Sequence, residues 1–194
     1  MNSLILERFQ IVEGFPAVNL ATAANNGDYI SLKNAKRVAI VFTSGVGTAG
    51  EDPTLTIQQA TDVSGTSVKA LNIPTASAFK KQAATSLAST AAWSSASADV
   101  STNTLTNATS AEESALWVVE FTPDELDADG GFDCIRATVA DIGASAQTGY
   151  LFYLVELKDQ RAPANAVSVI ADSSTGQARA VIWSREPYRY GTHP

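Results

Sequence analysis

Over most of its length the chain alternates apolar and polar residues with a period of two, not the 3.6 of a helix. Leu55 and Ile57 alternate with Thr54, Thr56 and Gln58, which predicts a strand with one face buried. Ile135, Ala137 and Val139 alternate in the same way with Cys134, Arg136 and Thr138. Val38 to Phe42 and Tyr150 to Val155 are continuous apolar runs, rich in β-branched or aromatic residues. They predict central strands covered on both faces. Leu116 to Phe121 has the same character, broken only by Glu120.

Turn signals separate these runs at short spacing. Asn26-Gly27 precedes a strand expected over Asp28–Lys33, and this dipeptide favours a tight hairpin turn. Ser44 to Gly50 links the strand at Val38 to the strand at Thr54. Ser173 to Gly176 joins Val167–Ala171 to Ala178–Trp183 in a second expected hairpin. Thr122-Pro123-Asp124-Glu125 offers a capping Thr, Pro at the first helical position and Glu three residues after the cap. It predicts a short helical turn near 123–128, ended by Gly130 and Gly131. Thr75 to Ala115 is dominated by Ser, Thr and Ala, yet Phe79 and Trp93 argue that part of it packs. Short polar-faced strands with long loops are expected there. The pattern as a whole predicts a mainly β, antiparallel sandwich or barrel in a single domain over residues 1–194.

Composition narrows the chemistry. The chain has 194 residues, with 45% hydrophobic but only 17% charged residues, so it is too apolar for a disordered chain. The single cysteine, Cys134, excludes an internal disulfide and a cysteine zinc cluster. The single histidine, His193, is next to the last residue, which argues against a Ser-His-Asp triad. A net charge of -7 argues against nucleic-acid binding, since phosphate neutralisation needs Lys and Arg. The longest apolar run is far short of the roughly 20 residues that span a bilayer, and the N-terminus shows no secretory h-region. A soluble, cytosol-made, non-enzymatic protein without cofactor is expected.

Charge is uneven along the chain. No Lys or Arg lies between Gln82 and Ile135, where Glu112, Glu113, Glu120, Asp124, Glu125, Asp127, Asp129 and Asp133 gather. The C-terminus instead carries Arg179, Arg185 and Arg189 beside Tyr188 and Tyr190. An acidic side and a basic tail would suit head-to-tail contact between copies.

Individual motifs carry no reaction. Gly45-Val46-Gly47-Thr48-Ala49-Gly50 has the spacing of a dinucleotide loop, but Glu51-Asp52-Pro53 and a strand pattern follow where a helix should begin. Glu125, Asp127, Asp129 and Gly130 resemble the front of a calcium loop, but the twelfth position is Arg136 instead of a bidentate acid. An improvised carboxylate site for a hard cation stays open in the 112–133 region. No pair of carboxylates stands out for glycoside cleavage. Cys134 has no partner base and reads as a small core residue.

Three stretches resemble a family of small structural proteins of tailed bacteriophages and prophages. They are "VAIVFTSGVGTAGEDPTLTIQQATD" from Val38, "DELDADGGFDCIRATVADIG" from Asp124 and "GYLFYLVELKDQRAP" from Gly149. The resemblance implies a jelly-roll-like β-sandwich on the virion, most simply a capsid decoration or cement protein. Such a protein would be made in the host bacterial cytoplasm and would sit on the capsid exterior. Its partners would be the major capsid protein and copies of itself, with a trimer as one arrangement. A neck or tail module is the alternative, and a carbohydrate-binding or hydrolase sandwich the second alternative. The expected contacts are Phe9 and Ile11 at one end and Arg185, Tyr188, Arg189 and Tyr190 at the other, with the N-terminal strand and a C-terminal arm (186–194) as extensions. Tyr and Arg are enriched in interface hot spots.

Overall fold

The computed structural model describes residues 5–83, 87, 91–159, 170 and 172. A single helical turn, α1 (Ile5–Arg8), leads into β1 (Phe9–Asn19). There follow β2 (Asn25–Asn26), β3 (Ile30–Ser31), β4 (Ala35–Ser44), β5 (Thr54–Ala60), β6 (Lys69–Ala70), β7 (Ala78–Ala83) and β8 (Ser94–Ser95). The remaining strands are β9 (Val100–Ser101), β10 (Thr104–Thr106), β11 (Ser114–Phe121), β12 (Cys134–Val139) and β13 (Thr148–Leu157). They form the expected mainly β, antiparallel sandwich. One sheet has the order β1-β13-β4-β11-β7-β8; the other has β2-β12-β5-β10-β9, with β3 also on β12 and β6 also on β5.

The alternating pattern explains why the sheets stack. β11 buries Ala115, Trp117, Val119 and Phe121 and turns the residues between them outward. β5 and β12 face them with Leu55, Ile57, Ile135, Ala137 and Val139. One main buried cluster joins the two inner faces. Phe42 lies at its centre, 5.3 Å from the Trp117 ring and 6.5 Å from the Phe15 ring between centroids. Each such side chain contributes about 1.5–3 kcal/mol on leaving water.

The helical turn near 123–128 is one turn of 3-10 helix, Pro123–Glu125, with its capping box formed by Thr122 and Glu125. The 44–50 loop carries the chain from one sheet to the other, β4 to β5. The 75–115 region holds β7 to β10, two 3-10 turns and loops, as its composition suggested. Its packing anchors differ from those expected. Ala78 and Ala96 are buried, whereas Phe79 and Trp93 are 39% and 53% exposed. Phe79 points outward because its register partner on β11 is the outward-facing Val118.

Two other expectations are corrected. β4 and β13 are interior strands, but β13 buries alternate residues and leaves Tyr150, Phe152 and Leu154 half-exposed. A two-layer sandwich offers only one apolar partner per sheet, so among the described residues the second face of the run meets no packed layer. Asn26-Gly27 does not form a tight hairpin, and Gly27 is not among the residues with positive φ. Instead β2 and β3 both lie along β12, with Asn26 opposite Thr138 and Ile30 opposite Ile135. Three residues, Gly27 to Tyr29, thus face two, which is a bulge. Gly27 is needed there for close approach: a Cβ would stand 2.6 Å from the Ala137 carbonyl and 2.8 Å from the Tyr153 hydroxyl.

The hairpin expected at 167–183 and the arm at 186–194 lie outside the described residues, apart from Ile170 and Asp172. Ile170 is buried in the core, and Asp172 bridges Ile30 at the side of β3.

Candidate functional site

Register sets what the outer face of the six-stranded sheet presents, because directly opposed residues share a face. One row runs Glu13, Phe152, Val41, Val118 and Phe79 across five strands. The next runs Ile11, Leu154, Ala39 and Glu120. A third runs Tyr150, Thr43, Leu116 and Lys81. Val41 at the centre is 9% exposed, while Ile11 near one end is 58% exposed. The Tyr150 and Phe152 rings touch at 5.8 Å. Burial and the nearby Glu13 carboxylate both raise the Tyr150 pKa, so its phenol stays protonated and points at Glu13, 3.4 Å away. The face is apolar in its middle and polar at its margins.

A cationic corner adjoins it. Glu156, opposite Phe9 on one side and Arg37 on the other, has a side chain only 5% exposed. Arg37 Nε lies 2.6 Å from one carboxylate oxygen, and Lys36 Nζ and Arg8 Nη2 each lie 3.4 Å from the other. Burial pushes the Glu156 pKa up, but the hydrogen bonds and charges of Arg37 and Lys36 outweigh it and hold the carboxyl below its ordinary value. Among the described residues three cations thus share this one carboxylate. The Arg8 guanidinium also stands 5.8 Å from the Phe9 ring centroid.

Phe9 and Ile11 therefore come together on one outer face, Phe9 at the cationic corner and Ile11 in the apolar rows. Arg185, Tyr188, Arg189 and Tyr190 lie outside the described residues. The acidic stretch does not form one side. Strand direction puts Glu112 and Glu113 at the end of the sandwich that holds the 45–53 loop, and Asp124 to Asp133 at the other end. A sequence run spreads this way because β11 carries the chain from one end of the sandwich to the other.

Several acids of this stretch and of the 45–53 loop are occupied within the fold. Asp127 accepts from Lys69 and from the Gly130 N–H, and these bonds lower its pKa. Asp133 pairs with Lys33 at 2.9 Å, which raises the lysine's pKa. Glu51 accepts from the N–H groups of Ser145 and Ala144 and is held low by them. Asp52 accepts from Ala111 N–H and the Ser110 hydroxyl. Among the described residues no group of three or more His, Cys, Asp or Glu side chains could hold a metal ion. Cys134 is buried, and burial and the neighbouring Asp133 push its thiol far above the range of a nucleophile.

The outer face of the other sheet carries a groove of about 440 Å³, lined by Asn26, Gly27, Asp28, Tyr29, Val63, Ser64 and Arg136. Tyr29, Ala60 and Cys134 form a second buried cluster beneath its wall, with Val63 packed against it. Sequence reasoning treated Arg136 as a polar position in a strand and as the residue that breaks a calcium-loop pattern. The available signal was its place: it is the first cation after a long stretch with none, and it stands on an outward strand position.

No protein-family model, curated protein or solved structure matches the chain.

Proposed function

We propose that this chain is a non-enzymatic structural protein of a tailed-phage virion that decorates the capsid exterior and stabilises the shell by bridging capsomers. The observation that carries this reading is the apolar outer face of the six-stranded sheet, bordered by the Arg8–Lys36–Arg37 corner and bearing Phe9 and Ile11. A broad apolar face with a charged margin has the layout of a protein-protein interface. Attachment of this kind is non-covalent: buried apolar area supplies affinity, and the charged corner sets orientation. The partners are the major capsid protein and further copies of this chain, with a trimer on a local three-fold axis as the simplest arrangement. A net charge of -7 keeps such a protein from competing for packaged DNA.

The strand order supports a jelly-roll reading of the sandwich. Four strands of one sheet, β1-β13-β4-β11, face four of the other, β2/β3-β12-β5-β10, and the chain crosses between sheets at nearly every long connection. Two interlocked Greek keys have this order, with β6 to β9 as an insertion. The stretches that resemble phage structural proteins fall on β4–β5, β12 and β13, in the middle of both sheets.

Immunogold electron microscopy with antiserum against the chain tests the assignment on particles from a phage lysate. Gold over the whole head is the expected result. Gold confined to the neck or tail would replace decoration by the tail-module reading, and particles without gold would sink the virion role.

A further inference from the structure

At the end of the core beneath the 45–53 loop, three buried polar atoms find no hydrogen-bond partner among the described residues. They are Ser44 Oγ, Trp117 Nε1 and Gln147 Oε1. Their residues are only 4%, 0% and 2% exposed, so bulk solvent does not reach them. Register brings the three together on the inner face of the six-stranded sheet. Ser44 lies opposite Ala115 on β11 and opposite Gly149 on β13. Trp117 and Gln147, each two residues from those partners, are therefore its diagonal neighbours. Diagonal positions are roughly 7–8 Å apart, a gap that aromatic and long side chains span.

The surroundings hold these groups in place. Gln147 Nε2 donates to the carbonyls of Gly45 and Ser110, at 2.7 and 3.2 Å. Two carbonyl acceptors require the amide nitrogen, which fixes the other end of the carboxamide as the oxygen. The loop above closes tightly: the Gly47 N–H donates to the Ala111 carbonyl, and a Cβ on Gly47 would stand 2.9 Å from the Gln147 carboxamide carbon. The Trp117 ring is held against Phe42, 5.3 Å between centroids. Beside Ser44 the side chains are small, with Ala115 on one flank and Gly149, covered by Leu20, on the other.

The three atoms select the ligand. An indole N–H only donates, an amide oxygen only accepts, and a hydroxyl does both. A metal ion would be met by the indole N–H, and an anion by the amide oxygen. Water donates and accepts, and a buried water typically makes about three hydrogen bonds. We propose that this end of the core binds one internal water molecule. It accepts from Trp117 Nε1, donates to Gln147 Oε1 and bonds the Ser44 hydroxyl. Through Gln147 it links the 45–47 and 110–111 segments to the aromatic centre of the sandwich. The site lies between the sheets and stands or falls independently of the virion role.

The experiment is water-selective NOE and ROE spectroscopy on the full chain, with the Trp117 indole resonance assigned by its loss in Trp117→Phe. The expected result is a cross-peak between water and the Trp117 Nε1–H, of opposite sign in the two spectra, as for a long-lived bound water. Ser44→Ala removes the neighbouring hydroxyl that could relay exchange with solvent, and the cross-peak should persist in it. No cross-peak in the wild-type chain would overturn the proposal. So would its loss in a folded Ser44→Ala chain, which would mark hydroxyl exchange. A crystal structure of the wild-type chain gives a readout that needs no variant. A solvent peak within about 3.2 Å of all three atoms supports the water, and side chains turned into direct contact with one another overturn it.

Discussion

The Tyr153 hydroxyl, carried by one sheet, donates to the Asp28 carbonyl on the other at 2.9 Å. The same oxygen accepts the Ala137 N–H at 3.1 Å. These are the groups left over where the bulge at Gly27–Tyr29 interrupts pairing with β12. A fully buried side chain thus completes the backbone ladder of the opposite sheet and ties the two layers together.

Tyr153→Phe keeps the ring and removes both bonds, leaving a buried N–H and a carbonyl unpaired. Urea unfolding should show a loss of about 1–3 kcal/mol with an unchanged m value. A loss below about 0.5 kcal/mol would mean that the bulge satisfies its own backbone groups.

The Glu156 carboxyl is held below its ordinary value of 4.5, so its folded pKa is lower than its unfolded one. Its contribution to stability is therefore complete above the unfolded value and is lost as pH falls through the folded value. Glu156→Gln leaves Arg8, Lys36 and Arg37 without their shared carboxylate. The variant should be less stable at neutral pH and should lose less stability on acidification. Urea midpoints measured between about pH 3 and pH 7 check both, and parallel curves would place the acid sensitivity elsewhere.

Thr102 sits at φ 55, a left-handed conformation that β-branched residues avoid, in the turn between β9 and β10. Asn adopts this region more readily. Thr102→Asn should raise stability by up to about 1 kcal/mol, read as a higher melting temperature. An unchanged or lower value would show that the threonine side chain contributes more than the strain costs.

Ile11 is largely exposed, so Ile11→Asp should change folding stability by no more than about 0.5 kcal/mol. On the proposed attachment face it should nevertheless weaken sedimentation with capsids at least about tenfold, since an uncompensated carboxylate enters an apolar contact. Wild-type attachment by a folded variant would remove Ile11 from the interface.

The strands were legible where alternation was clean. Leu55/Ile57 and Ile135/Ala137/Val139 fixed the inner faces of β5 and β12, and the Thr122–Glu125 box fixed the one 3-10 turn it capped. The run Tyr150–Val155 misled, because an apolar outer face looks in sequence like a second core face. Asn26-Gly27 misled because its glycine serves close contact with Ala137 and Tyr153, a long-range demand that no local pattern encodes. Phe9 and Ile11 were legible as apolar residues on an end strand. The groove was not, since Asn26, Ser64 and Arg136 meet only after three separate segments pack on the same sheet.

The placement of β13 between β1 and β4 has a consequence for how the chain is made. The two earlier strands emerge from the ribosome more than a hundred residues before the strand that joins them. Until residue 157 is out, each lacks its shared neighbour, and the main sheet cannot be assembled in its final order. Domestic mispairing of those waiting edges is the hazard of such late closure. Folding is thus tied to the synthesis of β13, and a chain truncated before that strand should accumulate as an aggregation-prone fragment, not as a smaller sandwich.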